Sequence, residues 1–304
     1  MITIGIPRAL YYYTNGYLLK TFFQNLGCTV LISPQTNQEI YEMGERIAND
    51  EMCSALKIFL GHVSYLKNKV DYIVIPRIDN YGLTNQTRTN FLAIYDLVHN
   101  LFTVPILNYN IDYKHYQYEY DGLYKIGRFL GFSSLKIQSS YKNTLLSLKL
   151  HEKEKIRQNK AKLYSNHLKI LLVSHPYVIK DAYLGRNILS YLKEQNIEYI
   201  FSDEILTQNP DKESSYYAKD LYWKVSKEQT AAIHILEKNI DGIIFISSFP
   251  CGLDSLVNEL VLKNITIPKI NIVLDDVKSF TGIETRLESF VDILKERKKI
   301  CLEK

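Results

Sequence analysis

The sequence predicts an α/β protein made of two doubly wound parallel-sheet domains, and three observations carry that prediction. Short Val/Ile-rich runs bounded by turn residues alternate with stretches of helical spacing. The alternation breaks once, at a lysine-rich segment of alternating charge, and then restarts. Landmarks after the break repeat those before it at a nearly constant offset. Pro7 pairs with Pro176, Val30 with Tyr199, Asp71 with Asp241, and the run Val104 to Asn108 with Ile267 to Asn271. Corresponding landmarks in one order imply internal duplication of an α/β unit. At 304 residues the chain has room for two domains, since about 100–200 residues per domain is usual. The expected division is 1–135 for the first domain, 136–166 for a helical connector and 167–304 for the second.

Each element has a local reason. Ile2 to Ile6 reads as a strand ending at Pro7-Arg8, and Leu18, Leu19, Phe22, Phe23 and Leu26 have helical spacing with Gly27 as the stop. Thr29 to Ile32 is the second strand. Asn37 to Ala48 is a helix, and Cys53 begins another that runs to about Lys67. Asp71 to Ile75 is the third strand, ending in Pro76-Arg77. A polar loop from Asp79 to Asn90 leads to a helix through His99, and Val104 to Asn108 is the fourth strand. Tyr113 to Tyr124 has no clean period and reads as a Tyr-rich packing loop or a stacking surface. Tyr141 to Asn166 is helical, with the mixed charge of a solvated face. In the second half, strands are expected at Leu168 to Val173, Glu198 to Phe201, Asp241 to Ile246 and Lys269 to Leu274. The helices between and after them are Leu184 to Leu192, Lys219 to Glu237, Leu253 to Lys263 and Thr285 to Lys299.

Composition excludes some classes. A net charge of +4 over this length gives no basis for a nucleic-acid partner. No apolar run approaches the 18 or so residues of a membrane span, and the amino terminus enters a strand pattern with no signal-peptide core. A soluble, cytoplasmic protein is expected. The 24 Tyr beside one Trp, among abundant Ile, Lys and Asn, match AT-rich codon usage and so mark no site by themselves. Cys28, Cys53, Cys251 and Cys301 form no CxxC pair, so in a reducing compartment they are thiols or metal ligands. Glycine-rich phosphate and dinucleotide loops are absent, as is the Gly-x-Ser-x-Gly elbow.

The chemistry-bearing candidates stand at strand ends. Cys251 lies where the run Ile243 to Ile246 gives way to a helix, and Cys53 also opens a helix. Ligands bind at the carboxyl ends of open α/β sheets, and a helix start favours a thiolate. Such a cysteine is either a packed core side chain or a reactive or metal-binding one. Two domains with sheet ends facing a cleft would bring both thiols toward one ligand site. Arg8 and Arg77 follow strands and are either oxyanion holders or anchors for carbonyls. His175, in the second-half counterpart of the Pro7 turn, is either an acid/base group or a satisfied turn residue.

Several phrases together resemble a known group. They are IGIPRALYYY (4–13), NDEMCSALKIFLGHV (49–63), VDYIVIPRI (70–78), FPCGLDSLVNEL (249–260) and TGIETRLESFVDIL (281–294). The chain resembles the 2-hydroxyacyl-CoA dehydratase/benzoyl-CoA reductase superfamily, in its branch of uncharacterised activase-related proteins. The resemblance spans nearly the whole chain and is weakest in the connector and from Ser202 to Glu213. It implies Rossmann-like (flavodoxin-like) domains around a cysteine-held iron–sulfur cluster of 4Fe-4S type. It further implies an ATP-dependent activase that supplies low-potential electrons for acyl-CoA dehydration or reduction. The resemblance makes Cys53 and Cys251 cluster-ligand positions and implies a lyase or a reductase component, working as a homodimer or heterodimer.

One departure bears on that expectation. Arg88 stands where the related pattern has a further cysteine, and a guanidinium has no lone pair for iron. The cluster then has another ligand, is shared across a dimer, or is lost. The alternative expectation is a non-catalytic paralogue in which Arg88, Arg8 and Arg77 hold an anionic ligand such as a CoA thioester. An assembly partner without a ligand is a third reading.

Overall fold

A computed structural model describes residues 1–205, 207–274 and 280–302, without the side chains of 89, 90, 301 and 302. Cys301 thus lies outside the described side chains. The order of elements opens β1 (Thr3–Ile6), α1 (Tyr12–Leu26), β2 (Thr29–Ile32), α2 (Gln38–Glu45), α3 (Ser54–Leu66) and β3 (Tyr72–Asn80). It continues α4 (Thr89–Leu92), α5 (Ile94–Leu101), β4 (Ile106–Asp112), α6 (Glu119–Phe129) and α7 (Ser134–Leu163). The later elements are β5 (Lys169–Ser174), α8 (Pro176–Ile179), α9 (Arg186–Glu194), β6 (Glu198–Phe201), α10 (Pro210–Ser214) and α11 (Lys224–Leu236). The last are β7 (Gly242–Ser248), α12 (Gly252–Leu262), β8 (Lys269–Leu274) and α13 (Thr281–Leu302).

Two four-stranded sheets result, ordered β2-β1-β3-β4 and β6-β5-β7-β8, with every pairing parallel. The α/β, parallel-sheet expectation is met, and the two strand orders are the same. Contacts divide the chain into one unit of Met1–Lys153 with Tyr222–Lys224 and another of Glu154–Leu221 with Val225–Lys304, so the division falls inside α7.

Two of the landmark pairs that repeat in sequence, Asp71 with Asp241 and Asn108 with Asn271, take the same places in each unit. Asp71 Oδ2 accepts the Thr3 N–H at 2.7 Å, and Asp241 Oδ2 accepts the Lys169 N–H at 2.7 Å. Each carboxylate tethers the first strand of its sheet to the start of the third, where a neighbouring strand cannot satisfy the donor. On the edge strands, Asn108 lies opposite Ile75 and Asn271 opposite Phe245, the third residue of each ladder. Both asparagines carry a buried Oδ1 without a hydrogen-bond partner among the described residues.

Packing follows the periodicities. Leu18, Leu19, Phe22, Phe23 and Leu26 of α1 are buried against Ile4, Ile6, Val74 and Leu107 of the first sheet. Gly27 ends the helix at φ 97, a left-handed conformation that an L side chain disfavours. The next residue, Cys28, donates its N–H to the Phe23 carbonyl at 3.0 Å. Asn37 caps α2 by accepting the Ile40 N–H at 2.9 Å. The second sheet's central strand β7 is buried along its whole length.

Boundaries moved in several places. β3 runs past Arg77 to Asn80, because Ile78 and Asn80 remain fully buried while pairing with β4. Arg77 is therefore inside a strand and not at its end. α2 stops at Glu45. The expected Tyr-rich loop contains α6, which starts where the Tyr118 N–H is accepted by Asp121 Oδ2 at 2.9 Å. Gly122 and Gly127 obscure its helical pattern. An added Cβ would meet the Asn110 carbonyl at 2.8 Å and the Ile137 side chain at 2.7 Å, respectively.

The tyrosines around α6 pack on one another. Tyr113 lies edge-on to Tyr81 and Tyr118, at 5.8 and 4.9 Å, and Tyr120 lies 5.0 Å from Tyr141. Among them burial raises the Glu119 carboxyl, against the lowering effect of Tyr141, whose hydroxyl donates to it at 3.4 Å. A carboxyl raised on folding supports the folded state below its unfolded value and loses that support as pH rises through its folded value. Glu119→Gln is thus expected to raise stability at pH 7, with the gain shrinking on acidification. Urea unfolding at several pH values checks this, and an equal effect at all of them refutes it.

Candidate functional site

The carboxyl end of the first sheet is built by the turn after β1, the end of β2 and helix α3. Pro7 closes β1 and Arg8 turns away from it. The Arg8 backbone N–H donates to Ser33 Oγ at 2.8 Å, and its Nε donates to the Ser33 carbonyl at 3.0 Å. Ser33 and Thr36 are buried, and Thr36 Oγ1 lies 3.0 Å from His62 Nε2. His62, on α3, is fully buried, and among the described residues its Nδ1 has no partner. Burial, and then the charge of Arg8, lower its imidazole to about 3, so the ring is neutral.

Cys53 precedes α3 with extended backbone, and its carbonyl accepts the Leu56 and Lys57 N–H groups at 2.9 and 3.1 Å. This is the helix start expected from sequence, and the thiol is half-buried there. Helix α3 is set against α2 by Gly44 and Gly61, whose backbones approach too closely for any side chain. Cys28, by contrast, is buried at the α1–β2 turn, and burial raises its thiol.

The other two arginines differ from Arg8. Arg77 makes a 3.7 Å ion pair with Asp96 on α5, at side-chain exposures of 36% and 56%. Such an exposed pair contributes little stability. The Arg88 carbonyl accepts from Phe91 and Leu92, so this residue starts the short helix α4. Its charge acts on the buried Tyr11 hydroxyl, which burial pushes well up and which Thr87 and Arg88 partly draw back. Behind the Pro7 turn, Pro7, Tyr12, Phe59, Val74, Pro76 and Ile94 line an apolar cavity of about 10 Å³. That is room for one water at most, so it is not a substrate pocket.

In the second unit, Cys251 stands at the start of α12, and its carbonyl accepts the Ser255 N–H at 3.2 Å and the Ser255 hydroxyl at 3.1 Å. Its thiol is half-buried. His175 is buried at the end of β5, and its Nε2 lies 3.1 Å from Asp254 Oδ1 on the first turn of α12. The His175 ring stacks on Tyr177, with centroids 4.8 Å apart. The expected turn histidine is thus one half of a buried pair that joins β5 to the helix carrying Cys251.

Sequence reasoning missed His62, Thr36, Ser33 and Asp254. Asp254 had one usable signal, an acid in the first turn of a helix. The partnership of His62 with Thr36 had none, because its two residues come from separate elements.

The resemblance implies a cysteine-held cluster, and the donors can be compared with that need. Each unit brings one half-buried thiol to a helix start, whereas a usual cluster takes four thiolates. Among the described residues, no group of three or more His, Cys, Asp or Glu side chains is placed to hold a metal ion. Neither unit carries four cysteines in its sequence, so neither alone supplies the full set of thiolates of a usual cluster. Among the described residues, no helix is long and apolar enough to cross a membrane.

Comparison with solved structures returns loose similarities. One is to a Zn(II)-bound variant of AdcAII from Streptococcus pneumoniae, at 10% identity and a TM-score of 0.28, over 97% of this chain and 98% of that one. Another is to the C-terminal domain of glucosamine-fructose-6-phosphate aminotransferase from Francisella tularensis, at 13% identity and a TM-score of 0.23. It spans 97% of this chain and 86% of that one. Superpositions this loose carry nothing about function. No curated protein matches. A family profile matches residues 3–205, which takes in Arg8, Cys53, Arg77, Arg88 and His175 and stops short of Cys251. The chain belongs to the family described as the CoA enzyme activase uncharacterised domain, DUF2229.

Proposed function

We propose that this chain is an iron–sulfur component of an acyl-CoA dehydratase or reductase system, working with an ATP-dependent activase. The observation that carries the reading is the family match, whose description ties this domain to CoA enzyme activases. Two half-buried thiols at helix starts support it. In this reading Cys53 and Cys251 are ligand positions, and the remaining donors come from a partner chain, because Arg88 supplies none. The cluster, when bound, supplies single electrons at low potential. The chain's own contribution is to hold the thiols at rigid helix starts. The His175–Asp254 pair ties α12 to the end of β5, and the close α2–α3 contact at Gly44 and Gly61 holds α3 against α2.

Iron and sulfide analysis after anaerobic purification and reconstitution tests the reading. Iron retained by the native chain is expected to fall to background in Cys53→Ser and in Cys251→Ser. An Arg88→Cys chain is expected to hold more iron than the native one. A native chain that stays iron-free both alone and with its co-purified partner sinks the proposal.

A further inference from the structure

Among the described residues, the turn after β1 holds a cation with no counter-charge. Arg8 is half-buried, and its guanidinium carbon lies 5.3 Å from the centre of the Tyr12 ring. The bond from Nε to the Ser33 carbonyl uses one of its five donors and fixes the plane of the fork. Among the described residues, neither terminal NH₂ group has a protein acceptor and no carboxylate pairs with Arg8. One adjacent ionisable group is His62, which burial and Arg8 itself hold neutral, with Nδ1 unpartnered among the described residues. Taking a charge partly out of water is costly without a partner. A guanidinium plane held by its Nε presents a fork matched to two oxygens of one group.

Position agrees with this chemistry. In the order β2-β1-β3-β4 the winding reverses between β1 and β3, and Arg8 leaves the carboxyl end of β1 there. That reversal is where open α/β sheets take ligands. Arg77 offers no equivalent, since Asp96 already faces it at 3.7 Å.

We infer that Arg8 anchors an oxyanion, the carboxylate or phosphate group of a small-molecule ligand, at the carboxyl end of the first sheet. Ser33 orients the fork, and Tyr12 covers one side of it. The site uses residues of the first unit alone and stands whether or not the chain carries iron.

Titration calorimetry on the full chain, in Tris chloride without other oxyanions, uses inorganic phosphate and acetate as probes. One-to-one binding of at least one probe is expected. It should weaken tenfold or more in Arg8→Gln and recover only partly in Arg8→Lys, which restores the charge without the fork. A phosphate preference indicates a phosphoryl ligand and an acetate preference a carboxylate. Because Arg8→Gln also removes the bond to Ser33, a second measurement uses the native chain. Phenylglyoxal adducts mapped by peptide mass should form more slowly at Arg8 with the bound probe present, while exposed Arg186 reacts at an unchanged rate. Absence of binding by both probes overturns the inference, as does binding that leaves Arg8 labelling unslowed. An iron-free chain that protects Arg8 refutes the cluster reading and leaves this one intact.

Discussion

Alanine at Gly61 is expected to be among the most damaging single-methyl additions to this chain. A Cβ built there lies 1.9 Å from the Ile40 carbonyl oxygen, and one at Gly44 lies 1.7 Å from the Lys57 carbonyl oxygen. Contacts under about 3 Å do not occur for real Cβ atoms, and the obstacle in both cases is backbone, which has no rotamer to change. Helices α2 and α3 must then separate. Ala55, Leu56, Ile58, Phe59, Leu60, Val63 and Leu66 are all buried on α3, so moving it disturbs the first core. Overpacking a core costs roughly 1–3 kcal/mol and sometimes more, and the rigid obstacle places both variants at about 3 kcal/mol or beyond. The two should not add, because the helices need to part only once. Gly252→Ala is the contrast: among the described residues nothing lies within 4 Å of its added Cβ and the position opens a helix, so a neutral or slightly stabilising effect is expected. Urea midpoints of the three single variants and the Gly44/Gly61 double variant decide the matter. A Gly61→Ala chain as stable as the native one would refute the close contact.

These glycines mark the limit of what local pattern discloses. The strands around Ile4, Leu171 and Ile244 were legible because parallel strands buried on both faces are continuous apolar runs. Cys53 and Cys251 were placed correctly at helix starts for a similar reason, since turn residues and helical spacing adjoin there. Gly44 and Gly61 lie unmarked inside the two stretches expected to be helical, because the carbonyl each accommodates belongs to another helix. The extension of β3 through Asn80 was hidden by its alternation of polar and apolar residues after Pro76. Helix α6 was hidden by two glycines and a run of tyrosines that suit packing against α7 and β4 more than a helical stripe. The site divides in the same way. Arg8 was legible as a strand-end arginine, whereas its lack of a counter-charge, and the Asp254 partner of His175, exist only in the fold.

His62 gives the strongest expected dependence on pH. The ring is fully buried, with Nε2 at 3.0 Å from Thr36 Oγ1, and burial, followed by the charge of Arg8, lowers it to about 3. In the unfolded chain a histidine titrates near 6.5. Between these values the unfolded chain holds a proton that the folded one refuses. Stability is therefore complete above the unfolded value and falls as pH drops from about 6.5 toward 3. Each pH unit inside that window costs up to about 1.4 kcal/mol, so roughly 2 kcal/mol should be lost between pH 6.5 and 5. The part of this window between pH 6.5 and 5 lies above the range in which lowered carboxylates such as Glu204 and Asp112 lose their support on acidification. His62→Gln keeps a hydrogen-bonding group for Thr36 but does not titrate, and it should flatten the slope across the window. Arg8→Gln removes only the smaller cause, so its slope should remain close to the native one. Denaturant unfolding in buffers free of phosphate, at half-unit steps of pH, separates these outcomes. Equal slopes for the native chain and His62→Gln would show that the imidazole admits its proton in the folded state. The polar cluster at the end of β1 would then be open to water, and Arg8 would lose the buried neutral neighbour that leaves its charge unbalanced.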